Sequence, residues 1–121
     1  MIHMSLDFQP GQIVSLEHGD SNLYAEVIQV VVSRQSCWVR PLVLVTHIQE
    51  PLIITDLRDA SDLLWPLHLF RPAIDTEVIT FLSQVLAKEP KNEPDSVAKL
   101  QLNQFIHQFW QASQQGLRVG D

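Results

Sequence analysis

The chain has 121 residues, 45% of them hydrophobic and 18% charged, with a net charge of −6. Those values exclude a disordered chain and suit one domain that folds without disulfide or metal support. Residues 1–87 hold ten acidic groups against four arginines (Arg34, Arg40, Arg58, Arg71), a surface that repels phosphate backbones and argues against non-specific nucleic-acid binding.

Residues 1–7 lack the basic start and apolar run of a signal peptide. The longest uncharged apolar stretch, 41–46, falls far short of the ~20 residues that span a bilayer. A cytoplasmic setting with no membrane partner is therefore expected. Cys37 is the single cysteine, set among apolar strand residues, so it reads as a small buried hydrophobe.

Phe8-Gln9-Pro10-Gly11-Gln12 reads as a turn launching a strand over 12–16, because proline presets φ and glycine accepts the positive φ of a type II turn. A polar loop over 17–22 follows. Residues 23–32 form the strongest predicted strand, with Leu23, Ala25, Val27, Gln29 and Val31 on one face and Tyr24, Glu26, Ile28, Val30 and Val32 on the other. Both faces are apolar towards its end, so neither is left to water. A hairpin loop is expected over 33–36, then a return strand over 37–46. On that strand Cys37, Val39, Val43 and Val45 share one face, and Trp38, Arg40, Leu42 and Leu44 the other. Pro41 cannot donate to a ladder, which places the strand at an edge or puts a bulge there. A fourth strand is expected over 52–55, a polar turn over 56–62 with a helical turn starting at Asp62, and a fifth strand over 65–70.

Asp75 reads as a helix N-cap, and Val78, Phe81, Leu82, Val85 and Leu86 repeat at helical spacing, giving a helix over 75–87. Residues 88–94, with two prolines, read as an exposed linker. A second helix over 95–115 carries Ala98, Leu102, Phe105, Ile106, Phe109 and Trp110 on one stripe, with Gly116 as its natural stop. That aromatic stripe either packs onto the second apolar face of the strands or serves a dimer or partner.

Four stretches resemble a family of small uncharacterised cyanobacterial proteins: Phe8-x-Pro10-Gly11, the run 24–31, Cys37-Trp38-Val39-Arg40-Pro41-Leu42 and the run 62–72. The resemblance covers about residues 8–80 and leaves out the C-terminal helix. It implies a cyanobacterial cytosolic setting and a compact, cupin-like β-barrel, and it transfers no activity and no site residues.

The five histidines (His3, His18, His47, His68, His107) form neither His-x-His nor His-x-x-x-His, and His47 with Glu50 is a poor metal pair. Asp56, Asp59 and Asp62 lack the glycine and the ligand count of a calcium loop. There is no Gly-x-Ser-x-Gly elbow and no phosphate-cradling glycine loop. No catalytic, metal or cofactor site is assigned, and the chain leans away from an enzyme.

The expected fold is mainly β: a small barrel over 8–72, SH3-like or alternatively cupin-like, followed by two helices in one domain. The expected function is a protein-interaction or assembly module, acting on a protein partner or on itself. Its candidate surface is Trp38, Arg40, Trp65, His68, Phe105, Phe109 and Trp110, since tryptophan and arginine commonly anchor interfaces. The alternative is a small-molecule- or metal-binding cupin-like barrel in which His47, Glu50 and His68 converge.

Overall fold

The computed structural model describes residues 8–47, 52–73, 75–86 and 96–119. They form an antiparallel open sheet of six strands followed by two helices: β1 Ile13–His18, β2 Ser21–Val31, β3 Ser36–Thr46, β4 Ile53–Asp56, β5 Leu63–Pro66, β6 Arg71–Pro72, α1 Asp75–Leu86 and α2 Ser96–Val119. Strand order is β4-β3-β2-β1-β6, with β5 also on β3. The linker expected over 88–94 lies outside the described residues.

The opening turn follows from its residues. Gln12 N–H donates to the Gln9 carbonyl at 3.0 Å across Pro10-Gly11. Gly11 sits at φ +90°, as the third position of a type II turn requires. Between β1 and β2 the polar loop contracts to a two-residue hairpin at Gly19-Asp20, with Gly19 at φ +56°. The β2–β3 connection is a 3₁₀ turn, Val32–Arg34, closed by Gln35 in the left-handed region.

β2 and β3 each carry one bulge. Tyr24 faces Val43 but Ala25 faces Pro41, so Leu42 is an extra residue on β3. Val27 faces Val39 but Gln29 faces Trp38, so Ile28 is an extra residue on β2. The first bulge sits beside the proline, where no N–H was available. Pro41 also falls between the stretches of β3 that pair with β5 (residues 36–39) and β4 (residues 43–46).

Each bulge shifts the in-out alternation by one residue, and this corrects the faces expected from strict alternation. Cys37 and Val39 join Leu44 in one core, while Val43 and Val45 enter another. Val30 packs with Leu23, Ala25 and Val27 rather than with Tyr24.

The sheet is thus covered on both sides. α2 packs Ala98, Leu102, Phe105 and Phe109 against Val14, Leu16, Leu23, Val27 and their neighbours. α1 packs Val78 and Val85 against Tyr24, Val43 and Val45, with Phe81 stacked on Tyr24 at 5.7 Å between ring centroids. α2 therefore lies on the face led by Leu23, and α1 on the face led by Tyr24.

Three further expectations are corrected. The fifth strand expected over 65–70 is split: β5 occupies Leu63–Pro66, a 3₁₀ turn Leu67–Leu69 follows, and β6 pairs with β1. Pro66, without an N–H, stands at that break. Asp62 begins no helical turn. Gly116 does not stop α2, which runs to Val119.

A polar cluster fastens α1 to the sheet. Tyr24 Oη donates to Glu77 Oε2 at 2.8 Å and accepts from Asn22 at 3.3 Å. Arg71 donates to Glu77 Oε1 at 3.2 Å and through Nε to Glu17 Oε1 at 2.7 Å. These bonds tie β1, β2, β6 and the first turn of α1 together.

Burial pushes the Tyr24 hydroxyl above its ordinary pKa; the Asn22 bond works against this and the Glu77 bond with it. Folding then favours the protonated phenol. This contribution is complete below about pH 10, the unfolded value, and is lost as pH climbs through the raised folded value. Tyr24 is the only tyrosine, so tyrosinate absorbance reports it alone. Unfolding free energy should fall with rising pH above about 10, and Tyr24→Phe should flatten that fall.

Candidate interaction groove

β5 brings together two of the tryptophans. In the β3–β5 register Cys37 faces Trp65 and Trp38 faces Leu64. Cys37 and Trp65 turn inward towards α2, and Trp38 and Leu64 turn to the outer side. Trp65 packs against Phe109 at 5.5 Å and against Trp110 at 5.8 Å between centroids. Cys37 is fully buried, and desolvation raises its thiol pKa, so it is an inert core residue.

An open groove of about 550 Å³ runs between β5 and α2. Leu64, Trp65 and Pro66 form one wall. Asn103, Ile106, His107 and Trp110 form the other. The helical spacing 103, 106, 107, 110 sets these four on one flank of α2. Trp110 remains 42% exposed and Leu64 53% exposed. Among the described residues the lining holds no carboxylate, lysine or arginine.

The candidate residues fall into four places. Trp65 and Trp110 meet in the groove. Phe105 and Phe109, 4% and 9% exposed, lie under the sheet and hold α2 in position, with His18 edge-on to both rings. Trp38 and Arg40 stand on the outer side of β3, both directed at Asp62. The Trp38 indole N–H donates to Asp62 Oδ2 at 2.9 Å, and Arg40 Nε lies 3.6 Å from Asp62 Oδ1. Glu26 is opposite Arg40 in register, but the ion pair of Arg40 goes to Asp62. His68 is exposed on the 3₁₀ turn after β5, outside the groove lining.

Two carboxylates of the 56–62 turn, Asp56 and Asp62, are held in side-chain bonds. Asp56 accepts two bonds from Arg58 Nε and one from its Nη2, and Asp62 serves Trp38 and Arg40. Among the described residues no three of His, Cys, Asp and Glu gather to hold a metal ion. His47 is exposed, and Glu50 and His3 lie outside the described residues. Among the described residues no helix is long and apolar enough to cross a membrane.

Leu64, Pro66, Asn103 and His107 were not singled out by the sequence as surface-forming residues. The stripe at 103, 106, 107 and 110 carried a usable signal, because it borders the apolar stripe at 102, 105 and 109. The part played by Leu64 depends on where β5 ends and was not visible without the strand pairing. No family model, no curated protein and no solved structure matches this chain.

Proposed function

We propose that the protein is a non-enzymatic interaction or assembly module of the cytoplasm, built on a half-closed, SH3-like barrel. The observation that carries the reading is the groove in which Trp65 and Trp110 remain partly open although α2 and the sheet are otherwise well packed. Exposed tryptophans in a concave apolar site are typical anchors of binding energy. The barrel reading is supported by the run from β5 through one 3₁₀ turn to β6, which links the side of β3 away from β2 to β1. The charge of −6 weighs against a nucleic-acid partner.

Solution mass and affinity capture, run in parallel on wild type and Trp110→Ala, test this reading. The expected result is a partner or second copy held by wild type and lost from the variant while both melt cooperatively. A strict monomer that retains nothing, or a partner held equally by both, contradicts it.

A further inference from the structure

β5 pairs with β3 along one edge, and among the described residues no strand pairs along the other. In an antiparallel ladder, half of a strand's N–H and C=O groups point to each side. The Leu67 N–H donates to the Gln35 carbonyl on the β3 side, so the register leaves the N–H and C=O of Leu64 and the C=O of Pro66 on the free edge. Short length and proline limit that edge, but no charged side chain of its own guards it. Consecutive strand residues point to opposite faces. A groove lined by Leu64, Trp65 and Pro66 together must therefore follow the strand's edge rather than one of its faces. Its other wall is the flank of α2. A second recess of about 170 Å³, beside Leu63 and Lys99, shares Asn103 and Ile106 with it.

We propose that an extended, apolar segment of a basic partner protein adds to β5 as a further strand, seating alternate side chains against Ile106 and Trp110. This rests on the interaction-module reading and specifies its site and its occupant. Unpaired strand groups call for another strand, whose backbone completes the ladder. A second copy of the chain fits less well on two counts. Only about half of Leu64 and of Trp110 is open at the groove, whereas a stable dimer buries about 800 Å² on each side. Two copies also bring −6 against −6. The same charge draws a basic partner, while the apolar Leu64, Trp65, Ile106 and Trp110 receive its apolar residues.

The test uses the full chain and a phage-displayed library of random peptides. Enriched peptides should alternate apolar and polar residues, carry flanking lysine or arginine, and bind about tenfold more weakly to Trp110→Ala and to Leu64→Thr. Two synthetic forms of the best peptide are then methylated on alternate backbone nitrogens. Strand addition predicts that one set, whose N–H groups face β5, loses about tenfold or more in affinity while the other set binds as before. Equal binding of both sets, unchanged binding to both variants, or no enrichment overturns the proposal. If both methylated sets bind equally but Trp110→Ala still releases the cellular partner, the strand proposal falls and the module reading stands. A wild type that is monomeric and retains no partner removes both.

Discussion

Phe105→Ala should lower the unfolding free energy by about 3–5 kcal/mol, the usual cost of emptying a fully packed aromatic site. Phe105 is the centre of the contact between α2 and the sheet. It is 4% exposed, stacks on Phe109 at 6.0 Å and meets the edge of His18. Removing its ring deletes apolar burial and leaves a hole that β1 and β2 cannot fill, because both are fixed in a hydrogen-bonded ladder. Trp110→Ala, only five positions further along the same helix, should cost about 1 kcal/mol, since its ring is only partly covered. Urea unfolding of the two variants side by side measures the difference. Similar losses would show that α2 does not present the face assigned to it.

Val85→Asp should have a comparably large effect from the opposite side of the sheet. Val85 is buried under β2 and β3 beside Tyr24 and Val43. A carboxylate there has no partner, and the cost of stranding it, added to the lost apolar contact, is on the order of 3 kcal/mol or more. Ile79 lies on the same helix and is 63% exposed. Ile79→Asp should change stability by no more than about 0.5 kcal/mol. The contrast separates the packed face of α1 from its open face, and thermal or urea melts read it directly.

How much of this was legible beforehand is best judged residue by residue. The turn at Gln9–Gln12 was readable because proline and glycine dictate it locally. Both helices were readable from apolar spacing, and the two-sided apolar character of 23–32 pointed to a sheet covered on each face. What alternation alone missed were the bulge at Leu42, which passes Val43 and Val45 to the α1 side and Leu44 to the α2 side, and the bulge at Ile28, which passes Val30 to the α2 side. Pro41 signalled that a bulge was one of two outcomes, but it did not say which residue would be extra. The break at Pro66 was missed because Leu67-His68-Leu69-Phe70 alternates like a strand, while the ladder to β1 admits only Arg71 and Pro72.

The candidate surface was half legible. Trp65 and Trp110 were chosen by residue type, and the fold sets them side by side. Phe105 and Phe109 were chosen by the same reasoning, yet they serve the core, because a helix rotates successive stripe positions from buried to open within one turn. Trp38 and Arg40 share a face as expected, but Asp62, a loop residue, determines where both side chains point. Such an arrangement depends on tertiary distance and leaves no mark on local sequence.

Everything in the site depends on the chain's own two helices lying on opposite faces of one sheet, which fixes α2 beside β5 and opens the groove between them. Amide hydrogen exchange on the full chain, at two widely separated protein concentrations, examines that arrangement most directly. Strong protection through β2, β3, residues 78–85 of α1 and residues 98–109 of α2, equal at both concentrations, is the predicted result. Rapid exchange in either helix, or protection of α2 that vanishes on dilution, would contradict it.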